Sequence, residues 1–184
     1  YNNSQLRAAL SSFIQAFGQA YDGDNRIAVI QLGLIGFWGE WHTWPHSVWF
    51  PGDGYLTEIL DTYDQSFNQT LLQVRYPVAN SPELKIGFHD DSFAYSTIGD
   101  VEWHFHPRLV TAGANEHWKN SPVGGELRPE VQQSIFEANS NPQHQNFSQC
   151  VEATHASMLL NYAAFSGGLN STNETQNAEN AALS

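Results

Sequence analysis

The sequence predicts an α/β fold built on a parallel sheet, and three observations carry that prediction. Stretches with helical apolar spacing alternate with short, nearly unbroken apolar runs, the pattern of βα units. Those runs read as strands covered on both faces, which is the habit of parallel sheets. Glycine-rich or polar strings follow the runs and place charged residues where strands would end. Four or five strands of this kind fit either part of a doubly wound sheet or part of a closed barrel. An eight-unit barrel takes about 250 residues, so in a chain of 184 residues roughly three leading units of a barrel would be absent.

In residues 4–21, Leu6, Leu10, Phe13, Ile14 and Phe17 recur at spacings of three and four, the stripe of an amphipathic helix, with Ser4 as its expected N-cap. After the turn Asp22-Gly23-Asp24-Asn25, residues 27–32 form the first predicted strand, and residues 33–42 its exit loop. Leu56, Ile59, Leu60, Tyr63 and Phe67 predict a helix over 55–67, and residues 71–76 a second strand closed by Pro77. A third strand spans 84–88 and ends at His89-Asp90-Asp91. Residues 102–112 suggest a helix broken by Pro107. The fourth strand is expected at 122–125, followed by a helix that has Pro129 near its first turn and ends near Asn139. Residues 156–162 form a last apolar segment whose type, strand or helix, is open. The polar tail at 167–184 reads as a flexible extension of a domain spanning 1–166.

Apolar residues make up 41% of the chain, enough for a packed core, and the formal net charge of −12 argues against nucleic acid and anionic lipid as partners. No basic run interrupts that acidity. The longest apolar stretch, 27–39, is far shorter than the roughly 20 residues a membrane crossing needs. Asn2, Asn68, Asn146, Asn170 and Asn173 each open an Asn-X-Ser/Thr sequon, which predicts a secreted, N-glycosylated protein. A single cysteine, Cys150, is in that setting either a buried free thiol or one with a partner outside this chain, the second being the expectation. With no initiating methionine or leader before Tyr1, the chain reads as a fragment.

The most informative string is Gly33-Leu34-Ile35-Gly36-Phe37-Trp38-Gly39-Glu40-Trp41-His42-Thr43-Trp44, which sets one carboxylate among three indoles at a strand exit. Pro122-Val123-Gly124-Gly125-Glu126-Leu127 repeats the design: apolar residues, paired glycines and a lone glutamate. Cleaving a glycosidic bond needs one carboxylic acid to protonate the leaving oxygen and one carboxylate to meet the oxocarbenium-like centre. Trp38 and Trp41 are expected to desolvate Glu40 and raise its pKa, making it the acid/base. Arg75 or a histidine is expected to hold Glu126 ionised as the nucleophile. Trp38, Trp41, Trp44 and Trp49 are candidate stacking platforms for a sugar or, equally, packing residues. His89, Asp90 and Asp91 suit hydrogen bonding to sugar hydroxyls. With His104 and His106 they match no closed metal-ligand set, so no metal or cofactor is expected.

At these residues the chain resembles the extracellular family known as domain of unknown function 4832, a glycoside-hydrolase-like barrel. The resemblance is carried by residues 33–42, Arg75-Tyr76-Pro77, residues 87–93, Gly124-Gly125-Glu126-Leu127-Arg128-Pro129-Glu130 and Thr154-His155-Ala156-Ser157, and covers about 6–162. More remotely, the layout is similar to the retaining-glycosidase clan whose acid/base ends barrel strand 4 and whose nucleophile ends strand 7. Counting Glu40 as strand 4 puts Arg75 at 5, His89 to Asp91 at 6 and Glu126 at 7. The resemblance implies an incomplete (β/α)8 barrel of TIM type holding about strands 4 to 8. A missing N-terminal segment or a second chain would complete it. It also implies a carbohydrate substrate, with Trp38, Trp41, His42, Arg75, His89, Asp90, Asp91, Arg128 and His155 around Glu40 and Glu126. The asparagine that commonly precedes the clan's acid/base is replaced by Gly39. The expected function is thus a secreted retaining glycoside hydrolase, and the alternative an inactive glycan-binding or assembly glycoprotein on the same barrel.

Overall fold

The computed structural model describes residues 1–128, 132, 135 and 145–160. Its elements in chain order are α1 (Ser4–Tyr21), β1 (Val29–Gln31), α2 (Asp53–Ser66), β2 (Leu71–Val74), β3 (Ile86–Phe93), α3 (Phe105–Thr111), β4 (Val123–Leu127), α4 (Phe147–Thr154) and β5 (Met158–Leu160). Every strand pairing is parallel, and the spatial order is β1-β2-β3-β4-β5. A doubly wound sheet reverses its order at a switch point. This one never reverses; it curls in one sense into half a barrel, compatible with an incomplete barrel.

The main core fills the layer between the convex sheet face and the helices. Leu32, Leu72, Val74, Ile86, Phe88 and Val123 from the sheet side meet Ile14, Leu56, Ile59, Leu60, Tyr63, Phe105 and Leu109. Phe93, Ala94, Leu127, Ile135 and Cys150 form a second, smaller cluster. Because strand side chains alternate, the concave face carries the other set: Gln31, Gln73, His89, Gly124, Glu126, Met158 and Leu160. Leu71, Met158 and Leu160 on that face remain exposed.

Several details depart from the sequence reading. Asn3, rather than Ser4, caps α1, its side chain accepting from the backbone N–H groups of Gln5 and Leu6. Leu6 and Phe13 stay exposed while Ile14 is sealed in the core, so only part of the stripe is covered. Asp22, just past α1, accepts from the N–H groups of Asn68, Gln69 and Thr70 and ties the helix to the entry of β2. Pro107 sits in the first turn of α3, where its missing N–H breaks no helical bond. β3 runs on through His89, Asp90 and Asp91 to Phe93, and β4 includes Glu126, so these residues lie within strands rather than beyond them. α4 has no counterpart in the sequence reading, and the segment open between strand and helix contains β5. The helix expected from Pro129, the tail at 167–184, Asn170 and Asn173 lie outside the described residues.

Cys150 is fully buried as a free thiol, and burial pushes its pKa up to about 12. That is the buried free thiol of the two alternatives the sequence left open. Asn2, Asn68 and Asn146 are exposed. Asn146 caps α4 through its carbonyl oxygen, which leaves its amide nitrogen, the atom a glycan would occupy, outside that bond.

The strands approach so closely that glycine is obligatory at several points. A Cβ at Gly87 would stand 1.9 Å from the Pro122 carbonyl oxygen, one at Gly124 2.4 Å from that of Met158, and one at Gly125 2.4 Å from that of Asp90. The paired glycines before Glu126 therefore serve neighbouring backbone, not a ligand. Gly87→Ala should lower stability by about 1–3 kcal/mol. Gly54→Ala, in α2 with nothing near the added methyl, should raise it by about 0.5–1 kcal/mol. Urea unfolding midpoints of the two variants check this; equal effects would remove the strand-contact argument.

Candidate active site

The exit loop of β1 is wound tightly around Glu40. Leu34, Trp38 and Trp41 adopt positive φ, at 74°, 54° and 56°, alongside Gly36 and Gly39. Three non-glycine residues in the left-handed region within eight positions is a dense concentration of backbone strain, and such strain gathers at functional segments. Local bonds hold it: Phe37 N–H donates to the His42 carbonyl (2.7 Å), Trp41 N–H to that of Ile35 (3.0 Å), and Gly36 N–H to the Tyr1 hydroxyl (2.7 Å). The left-handed turn at Trp41 sends its indole into the core, where it is fully buried and donates to the Leu32 carbonyl (2.6 Å). Trp41 is therefore no sugar platform. Trp38, 83% exposed, is available as one, and stands 6.0 Å from the His42 ring.

The backbone N–H of Trp44 donates to His42 Nδ1 (3.2 Å). The ring proton must then sit on Nε2, which lies 3.2 Å from Glu40 Oε2 and donates to it. Arg75, at the exit of β2, donates to the Glu40 backbone carbonyl (2.8 Å) and pairs with Asp91. Tyr76 beside it donates to the Trp41 carbonyl. Two consecutive residues of one strand exit thereby clamp the loop of the next.

Asp91 reaches this point through an irregularity in the sheet. Asp90 pairs with Gly125 and Phe93 with Leu127, so Asp91 and Ser92 together face the single Glu126. That is a β-bulge, which re-aims side chains at strand ends. It sets Asp91 beside Glu126, half-buried on the concave face. Burial first, then the Asp91 and Glu40 carboxylates, push the Glu126 pKa up, with Arg75 opposing. This reverses the expected environments: Glu126 is the group pressed to hold a proton. Glu40 meets a histidine N–H, while Trp38 is open to solvent and Trp41 turned away.

The remaining predicted residues divide. His89 faces inward but is buried, with Nδ1 unpartnered, and burial drives its pKa down to about 4. Asp90 reaches the cavity wall, where its two oxygens accept from Ser92 N–H and the Thr97 hydroxyl (2.9 and 2.6 Å). Arg128, at the exit of β4, lies over the Tyr95 ring at 4.2 Å. His155, which the sequence leaves open between a strand end and a helix surface, caps the C-terminus of α4 in a left-handed conformation and stacks on Trp118 at 3.8 Å. Both residues lead into strand starts, the end of the sheet opposite the site.

A cavity of about 690 Å³ opens over the carboxyl ends of β1 to β4. Its walls include His42, Trp44, Arg75, Tyr76, Asp91, Trp103, Arg108 and Arg128; Glu40 and Glu126 are not among them and join it through Arg75 and Asp91. Trp103 and Arg108 were not singled out by the sequence, and Tyr76 entered only as part of the resemblance. Arg108 sits in α3, and its only advance signal was rarity, as one of 7 basic residues in an acidic chain. Among the described residues, no three His, Cys, Asp or Glu side chains gather to hold a metal. No helix among them is long and apolar enough to cross a membrane. The chain matches no family model, no curated protein and no solved structure.

Proposed function

We propose that this chain is the catalytic part of a retaining glycoside hydrolase whose acid/base is Glu126 and whose nucleophile is Glu40. The observation that carries the reading is the convergence of Glu40, Arg75, Asp91 and Glu126 at the carboxyl ends of successive parallel strands, with one carboxyl pressed toward its neutral form. Environments that push two carboxyl groups apart in pKa are how acid and nucleophile are told apart. In the proposed first step Glu126 gives its proton to the glycosidic oxygen as the C–O bond breaks, and Glu40 closes on the anomeric carbon to form a glycosyl ester. Glu126, now ionised, takes a proton from water, which attacks that carbon and releases Glu40. His42 N–H and the Arg75 contact to its backbone orient Glu40.

The order of the strands and the exposed Leu71, Met158 and Leu160 on the concave face support a (β/α)8 barrel completed by further strands, from a preceding segment or a second chain. The likeness to domain of unknown function 4832 belongs to the same reading. So does secretion with N-glycans at the exposed Asn2, Asn68 and Asn146. One observation favours a glycan-binding role without cleavage: the cavity is walled by His42, Arg75, Asp91 and Arg128 and by neither glutamate. Proton NMR of glycoside hydrolysis separates the readings. Release of the retained anomer is the expected result; inversion would overturn the nucleophile, and saturable saccharide binding without turnover would favour the binding role.

A further inference from the structure

The chain's formal charge is −12, yet three of its 7 basic residues, Arg75, Arg108 and Arg128, line one cavity. They come from β2, α3 and β4, so the fold, not a local run, gathers them. Arg75 and Arg108 both lie over the ring of Tyr76, their guanidinium carbons 5.4 and 4.1 Å from its centroid. Arg75 is neutralised by Asp91. Arg108 has no carboxylate within ion-pair distance among the described residues. Of the two acidic residues in the wall, Asp91 is therefore committed to Arg75, and both oxygens of Asp90 are occupied by Ser92 and Thr97. Arg108 lines a cavity that two indoles flank: Trp44, 77% exposed, and Trp103. A planar fork of N–H donors beside aromatic faces matches a pyranose that bears a carboxylate, the fork taking the two oxygens and an indole the ring.

We infer that the cavity binds an acidic sugar, with Arg108 as the carboxylate-recognising residue, Tyr76 fixing its guanidinium, and Trp44 or Trp103 stacking on the pyranose. The inference rests on the saccharide reading above and narrows it to uronate-bearing glycans.

The test is an NMR titration of the chain with methyl glucuronide and methyl galacturonide against methyl glucoside and methyl galactoside, with glucose 6-sulfate as a further arm. Each uronide should bind at least about tenfold more tightly than its neutral counterpart, a difference near 1.4 kcal/mol. Arg108→Gln should erase that preference while thermal unfolding stays put, and Arg108→Lys should retain only part of it, because an ammonium lacks the fork. Equal affinity for charged and neutral sugars overturns the inference, as does a preference that survives in Arg108→Gln. Tighter binding of the sulfate than of either uronide overturns the carboxylate assignment. Hydrolysis of neutral glycosides without uronide preference would sink this inference and leave the hydrolase; uronide binding without turnover would do the reverse.

Discussion

Glu126→Gln is expected to lose turnover of glycosides with unactivated leaving groups by about 10²- to 10⁴-fold, the usual contribution of a positioned general acid. A dinitrophenyl glycoside should be largely spared in its first step, because that leaving group departs without a proton. The Glu126 carboxyl is pushed up by burial and by the Asp91 and Glu40 carboxylates, so it keeps its proton to higher pH than an exposed glutamate would. The alkaline fall in kcat/KM should accordingly come from Glu126 and vanish in the variant when the activated substrate is used. Glu40→Gln should instead lose both substrates, since the carboxylate that meets the anomeric carbon is needed whatever leaves. Equal losses on both substrates in Glu126→Gln would hand the nucleophile's role back to Glu126, as the count of strands implied. Undiminished turnover would remove it from the mechanism altogether.

The parts of this site that were legible in the sequence are those set by local pattern. α2 follows from the spacing of Leu56, Ile59, Leu60 and Tyr63, all of which the structure buries. The parallel strands followed from their short apolar runs. Glu40, Arg75, Asp91 and Glu126 were all picked out by their position at strand exits, and the sheet brings them together. What was not legible depends on backbone geometry and on contacts that residue spacing does not report. Burial of Trp41 is decided by a left-handed backbone and by the Leu32 carbonyl. The two positions open to His155 could not be separated because eight residues with an apolar side chain only at Phe147, Cys150, Val151 and Ala153 do not announce α4 as a helix, and that helix carries His155 to the far end of the sheet. The raised Glu126 needs a bulge one strand away. Nor could an anion site be read from a chain in which Arg75, Arg108 and Arg128 lie far apart; charge counted along the sequence does not report charge gathered in space.

His89 and Asp90, neighbours on β3 that face opposite sides of the sheet, should oppose each other in the pH dependence of stability. Burial lowers the His89 pKa from 6.5 to about 4, so its contribution is intact above pH 6.5 and is lost as pH falls toward 4. Burial raises the Asp90 pKa from 3.8 to about 6, against the bonds from Thr97 and Ser92. That contribution is intact below pH 3.8 and is lost as pH rises toward 6. Each spans about 3 kcal/mol over almost the same window, with opposite slopes, so in the parent protein they nearly cancel. Asp90→Asn should unmask His89: relative to the parent, its stability should climb by about 3 kcal/mol between pH 3.8 and about pH 6. His89→Gln should do the opposite, becoming less stable relative to the parent as pH rises through that window. Urea unfolding at half-unit pH steps measures both differences. A flat difference for either variant would mean that the replaced side chain titrates as it would in water, and for His89 it would add a cation within reach of the Arg75 charge. The consequence reaches the site: a His89 that stays neutral leaves Arg75 and Asp91 as a balanced pair beside Arg108 in the cavity wall.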